Sequence, residues 1–357
     1  MERNKSVRNS NIELLRIIAM VLIIGHHYRV CSTSGGVEFS QNSFAGLLFN
    51  MGGKYGVDLF VIISSYYLVD SRFKVNRIIR TCLQTWCYSI AFLILAIITH
   101  SQLLSGKMIL MSVLPVIYKE YWFVTSYIGL LVLSPFLNKL FCNLDKKEHF
   151  SLCFVLLSMY FAIPSIFIKS DTYFSHLGMF ITIYTVVCYL KKYGMPIKQT
   201  KKCLLYALIL YVFIFLESSI FVVLGAIDTT RIELWNYCKV MGFSEYSVLL
   251  LLSAIFLFYV FVSIPSYSNK IIDRIGKATF GIYLIHDNWF LREILWGNLL
   301  HTKDFLYSNV YIIYSICAVI VVFLISLFVD LLLENSLKIF KVNLLTERIS
   351  NALEKEY

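Results

Sequence analysis

The stretch IELLRIIAMVLIIGHHYRV, residues 12–30, decides how this chain is read. At 1.5 Å per residue it is long enough to cross about 30 Å of hydrocarbon, yet it carries Glu13, Arg16, His26 and His27. Arg16 and His27 stand eleven residues apart. At 100° per residue that is three turns plus about 20°, so the two share one helix face, roughly 16 Å apart along the axis. Ionisable groups in hydrocarbon are costly and as a rule line a pathway or a site. His26 is turned about 80° from Arg16, so the stripe runs through His27. Glu13, three residues before Arg16, is placed to hold the guanidinium in an i, i+3 ion pair.

The rest of the chain repeats the apolar pattern. It has 357 residues, 58% hydrophobic and 15% charged, with a mean hydropathy of +0.71, outside the range of soluble domains. Ten apolar stretches occur, near residues 12–30, 43–70, 78–99, 121–141, 150–168, 174–190, 203–224, 246–263, 278–298 and 310–334. Lipid admits only helices or closed barrels, and these lengths are helical. The expected fold is therefore all-α, a polytopic membrane protein with a bundle of about ten transmembrane helices. Segments on the N-terminal side of the membrane hold 22 lysines and arginines and the opposite ones 6, which predicts both termini in the cytoplasm. The net charge of +10 follows from that topology and from affinity for anionic headgroups, with no nucleic acid implied.

The expected organisation is one transmembrane domain over 1–337 and a short cytoplasmic tail over 338–357, which could lie on the membrane surface as an amphipathic helix. The first apolar run lacks a small-residue cleavage pattern and reads as a retained span. Gly225–Tyr246 is the longest polar loop. Nine cysteines are scattered with no CxxC pair, so no metal site is expected. Cys31 and Cys238 both fall on the outer side, where a bridge is conceivable.

Further polar groups interrupt the spans. Span two carries Gly52-Gly53-Lys54-Tyr55-Gly56-Val57-Asp58, then Ser64-Ser65-Tyr66. Its glycines permit close helix approach. Asp58 needs a partner on a neighbouring span, as a functional group or as half of a structural pair. Arg77 and Arg80 lie on one face at the cytoplasmic entry of span three and suit either phosphate clamping or lipid anchoring. Span four opens on Tyr121-Trp122-Phe123 and continues to Tyr127, and span nine contains Tyr283, His286 and Asp287, followed by Arg292. His286 and Asp287 are a second candidate for proton chemistry, or else for interhelical packing. Glu217 in span seven has no assigned role.

These residues together resemble the membrane acyltransferase-3 family. Asn11-Ile-Glu-Leu-Leu-Arg16 through His27 is similar to its Arg-x10-His helix, Gly56-Val-Asp-Leu-Phe-Val-Ile-Ile-Ser-Ser-Tyr66 to its second motif, Arg77-x-x-Arg80 to its basic pair, Tyr121-Trp-Phe to its aromatic motif and Tyr283-Leu-Ile-His286 to its late helix. Ser65 stands where the family usually has glycine. The Trp-Ser-Leu and following glutamate of many relatives are absent after Trp122. The resemblance is to the bacterial branch that acts on surface polysaccharides and exopolysaccharides.

The resemblance implies an O-acyltransferase of the bacterial plasma membrane. It would move an acyl group, most simply acetyl, from cytoplasmic acyl-CoA to a hydroxyl of a glycan or lipid-linked sugar, with no permanently bound cofactor. His27, Asp58 and Glu13 are then the expected catalytic set, and Arg16, Arg77 and Arg80 hold the donor. Ser64, Tyr66, Trp122, Tyr127, Tyr283 and His286 support substrate, in a cavity between spans one, two, three, four and nine. From the residues alone, a polysaccharide or metabolite flippase and a polytopic scaffold remain open. The lack of an internal repeat weighs against the flippase.

Overall fold

A computed structural model describes residues 9–33, 42–71, 73–166 and 175–339, with side chains to residue 334. The described residues are helical throughout, with no strand. Helices α1 (Ser10–Thr33), α2 (Ser43–Leu68), α3 (Val75–Ile98), α4 (Gly106–Val113), α5 (Trp122–Asn143) and α6 (Lys146–Leu157) come first. A π-helical turn joins α6 to α7 (Ile163–Ile166). Then follow α8 (His176–Tyr193), α9 (Thr200–Ile227), α10 (Ile232–Met241), α11 (Val248–Ser263), α12 (Lys270–His286), α13 (Trp289–Arg292) and α14 (Tyr311–Ile339).

The ten apolar stretches fall on helical segments, the fifth on α6–α7 and the ninth on α12, α13 and the helical turn after them. Seven segments are long and apolar enough to cross a membrane: α1, α2, α3, α5, the α6–α7 segment, α9 and α14. Helices α8, α11 and α12, of 18, 16 and 17 residues, are shorter or less apolar. The chain is an all-α, multi-pass membrane protein. Large apolar side chains such as Ile98, Ile209, Phe213, Ile313 and Phe328 remain exposed, as a surface solvated by acyl chains requires.

Polar contacts tie elements distant in the chain to one another at both ends of the bundle. At the Ser10 end, the backbone N–H of Ser10 donates to Tyr267 O (2.9 Å) and its hydroxyl to Asp273 (2.6 Å). Lys191 there pairs with Asp70 at 2.6 Å. At the opposite end, Asn42 donates to the carbonyls of Leu306 and Ser308 (2.8 and 3.0 Å). The ends are called proximal and distal below, proximal being that of Ser10.

Two expectations about segment shape are corrected. The ninth stretch is not one continuous span over 278–298. Helix α12 begins eight residues earlier, where Asn269 accepts from the N–H groups of Ile271 and Ile272 (2.9 and 3.2 Å), and it stops at His286. Asn288 then caps α13 by accepting from Phe290 and Leu291 (3.1 and 3.4 Å), so the amide side chain competes with helix continuation. The polar stretch Gly225–Tyr246 is likewise no open loop, because α10 folds back along α9. Ser218 donates to the Lys239 carbonyl at 3.1 Å, and Phe221 stacks on Trp235. The tail beyond residue 339 lies outside the described residues, as does Arg72.

Helices α1 and α2 form the closest pair. A Cβ on Gly56 would lie 2.6 Å from the Ala19 carbonyl oxygen, and one on Gly53 2.2 Å from His26 Cβ. Without a hydrophobic drive between helices in lipid, such small-residue contacts supply the packing. The Ala19 carbonyl is backbone and cannot step aside. Gly56→Ala is expected to cost about 1–3 kcal/mol by overpacking, read as a lower melting temperature in detergent. Gly106→Ala, with nothing within 4 Å of the new Cβ, should leave melting unchanged.

Candidate active site

Helix α1 carries His27 to the distal half of the bundle, where the end of α12 meets it. His27 Nδ1 lies 3.5 Å from Asp287 Oδ1, and its ring centroid is 5.0 Å from that of His286. His286 Nδ1 sits 2.7 Å from the Ile282 carbonyl. A carbonyl only accepts, so this nitrogen carries the proton and Nε2 is left with its lone pair. That Nε2 is buried and has no hydrogen-bond partner among the described residues. The two proton-handling constellations read separately from sequence, His27 on span one and His286-Asp287 on span nine, are one site.

The helix break holds this site open. Helix α12 ends at His286, which frees Asp287 to turn back, and Arg292 pairs with its carboxylate. Asn288 donates to Glu120 (2.9 Å) and to the Tyr121 hydroxyl (3.0 Å). Tyr121 in turn donates to the Leu284 carbonyl at 3.1 Å, and Ser89 of α3 donates to Glu120. Tyr283, its ring 6.1 Å from His286, packs edge-on against Tyr121 and Phe123. Glu120, Asn288 and Arg292 were not among the expected site residues. Asn288 had a readable signal as a helix cap, whereas nothing local marks Glu120, whose partners are 31 and 168 residues away.

The carboxylate beside His27 is thus Asp287. Asp58 is buried within α2 (3% exposed), and the charges acting on it are Glu245 and Lys54. Glu13 sits at the proximal end, bound to Arg16 at 3.4 Å and packed on Gly276 of α12. Fourteen residues of helix place it about 21 Å from His27.

Arg16 anchors a second group of residues at the proximal end. Its guanidinium lies 6.0 Å from the Tyr67 ring. Tyr127 of α5, beside Ser64, lies within electrostatic reach of both Arg16 and Arg77. Arg77 donates to Ser71 at 3.2 Å, while Arg80 is exposed. Tyr66 packs under the Lys191 ammonium, 4.0 Å from the ring centre. Ser65 is fully buried and its hydroxyl has no partner among the described residues.

Around the distal site, Trp122 packs against His176 at 4.2 Å between centroids, the rings tilted by 36°. His176 meets Glu245 at 3.1 Å, and Glu245 pairs with Lys54 of α2. Burial alone would raise the Glu245 carboxyl, but the His176 hydrogen bond and the Lys54 charge outweigh it and hold the group at about 2. All nine cysteines are free, Cys31 and Cys238 included. No cluster of metal-ligating side chains occurs among the described residues.

Glu120 behaves oppositely to Glu245. Burial pushes its carboxyl up to about 7 from an ordinary 4.5, against the hydrogen bond from Ser89. The folded chain therefore binds this proton more tightly than the unfolded chain. The stabilisation is fully present below about 4.5 and is lost as pH rises through about 7. Melting temperature should fall across that window in wild type and fall less in Glu120→Gln, and equal slopes in the two proteins would disprove the assignment.

Comparison with known proteins places the chain in a family. No curated protein and no solved structure matched the chain. The family model described as Acyltransferase domain, acyltransferase 3, matches residues 9–331, a range that contains Arg16, His27, Glu120, His286 and Asp287. The chain belongs to the acyltransferase 3 family and is a membrane acyltransferase.

Proposed function

We propose that this protein is an O-acyltransferase of the bacterial plasma membrane, with both termini cytoplasmic. It moves an acyl group, most simply acetyl, from acyl-CoA to a hydroxyl of a cell-surface glycan or its lipid-linked precursor. The observation that carries the reading is the meeting of His27, His286 and Asp287 at one end of α1, with Arg16 at the other. The charge distribution puts the arginine end on the cytoplasmic side, where a phosphorylated donor is found.

In this reading Arg16 and Arg77 hold the donor phosphates, with Arg80 at the entry, and Glu13 orients Arg16. Ser64, Tyr66 and Tyr127 support the thioester arm. His27 takes the proton of the acceptor hydroxyl as its oxygen attacks the thioester carbon. The C–S bond breaks as the new C–O bond forms, and the proton passes from His27 to the departing sulfur. Asp287 balances the imidazolium during this step, and His286 Nε2, held free by the Ile282 carbonyl, accepts a hydrogen bond from His27 or from the hydroxyl. A relay through acyl-histidine uses the same groups. Asp58 serves the α2 packing and its Lys54 neighbour in this scheme. Trp122 and Tyr283 shape the acceptor side.

The test is the acetyl-ester content of surface glycans, by proton NMR, in a host lacking the gene and complemented with wild type or His27→Ala. Esters should return with wild type only. Esters restored by both would remove His27 from the mechanism, and loss of the whole glycan from the surface without the gene would favour transport. Asp287→Asn should fold normally and lower transfer by about a hundredfold, measured as the acceptor-dependent rate of free CoA release.

A further inference from the structure

Two residues beyond His27, Arg29 is turned about 200° round α1 and faces α2 rather than α12. Its guanidinium lies against Gly46, where a Cβ would fall 2.6 Å from both Cζ and Nε. Arg29 is 6% exposed, and its Nη1 is buried with no hydrogen-bond partner among the described residues. Lys239 of α10, 5% exposed, is the neighbouring charge. Among the described residues its ammonium donates to Asn236 Oδ1 alone, at 3.1 Å. Burial, and after it the charge of Arg29, draw Lys239 down to about 8.

No ion pair among the described residues involves either cation. Glu38, nine residues beyond Arg29, lies outside the described residues, and two acids of the surrounding segments are otherwise engaged. Glu245 is held by Lys54 and His176, and Glu217 lies against Ser218 and Gly242. Two buried cations that repel each other and meet no carboxylate among the described residues leave room for an anion. We propose that Arg29 and Lys239 form a binding site for the phosphate of a membrane lipid, closed on one side by Gly46.

A planar guanidinium and a point-charge ammonium are complementary means of holding phosphate oxygens. The position favours a lipid, because Arg29 lies one turn from the end of α1 and α10 lies over the distal end of α9, the level of headgroups. The phosphate belongs either to a phospholipid headgroup or to a diphosphate linking a sugar to a polyprenyl carrier. In the second case the sugar would be delivered within about a turn of His27, which rests on the acyl-transfer reading. Phosphate binding itself does not.

The test uses full-length protein stripped of lipid in a neutral detergent, with melting temperature as the readout. Farnesyl phosphate, farnesol and phosphatidylglycerol are the probes. A phosphate-bearing lipid should raise melting by several degrees and farnesol should not. A shift with phosphatidylglycerol alone identifies a headgroup site, and one with farnesyl phosphate alone a carrier site. Arg29→Gln and Lys239→Met should each weaken binding at least about tenfold. Without lipid, Lys239→Met should melt at or above wild type, since it removes a like-charge contact, so it remains informative if Arg29→Gln fails to fold. His27→Ala, inactive in transfer, should keep the full shift, which separates failure of this proposal from failure of the catalytic one. No shift with any phosphate-bearing probe, or equal shifts in wild type and both variants, would overturn the site.

Discussion

A charge placed in hydrocarbon must find its counter-charge, and that requirement organises this bundle. Glu13 takes Arg16 at the proximal end, Lys54 takes Glu245 across from α2 to the segment before α11, and Arg292 takes Asp287. The buried Asp330 of α14 accepts from the Tyr88 hydroxyl at 2.6 Å. Several of these contacts join elements far apart in the chain, so each works as a staple between helices that lipid alone would leave free to slide. The distal end departs from this economy twice. Among the described residues His286 Nε2 has no hydrogen-bond partner and neither Arg29 nor Lys239 has an ion-pair partner, and these are the places where a small molecule has something to gain.

The break after His286 does for the site what the pairings do for the bundle. A helix continued through residues 287 and 288 would send Asp287 and Asn288 off in different directions about its axis. With the break, Asn288 reaches Glu120 and Tyr121 while Asp287 folds back to His27 and Arg292. The segment before α5 is thereby coupled to the end of α12, and α3 joins through Ser89. Side chains from four regions are held by the hydrogen bonds around this turn, an arrangement that limits the rotamers open to the histidines beside it.

The glycines of α2 set the register of α1 against it. Gly56 admits the Ala19 backbone, Gly53 admits His26 and Gly46 admits Arg29. With α2 on that face, His27 is left to α12, and the choice between two adjacent histidines is made by packing. The same alignment keeps Arg16 near Tyr67 and Tyr127, so one helix presents a cationic end and an imidazole end to two different neighbourhoods.

Helix positions were legible in the sequence, because apolar run length reports bilayer thickness directly and all ten stretches fall on helical segments, although the ninth is broken. The stripe from Arg16 to His27 was legible too, since helical phase is local arithmetic. What local arithmetic lacked was partnership. It offered Asp58 or Glu13 for His27, whereas Asp287, 260 positions along the chain, is the acid that arrives. It read span nine as continuous because hydropathy is blind to a capping amide. It passed over Glu120, whose importance lies in Asn288 and Ser89 on other segments. The sequence by itself determined that the chain crosses a membrane as helices and which face of the first is polar, since those follow from composition and period. Only the tertiary structure decided which acid meets which base, because contact between residues hundreds of positions apart is set by packing, and packing has no periodic signature.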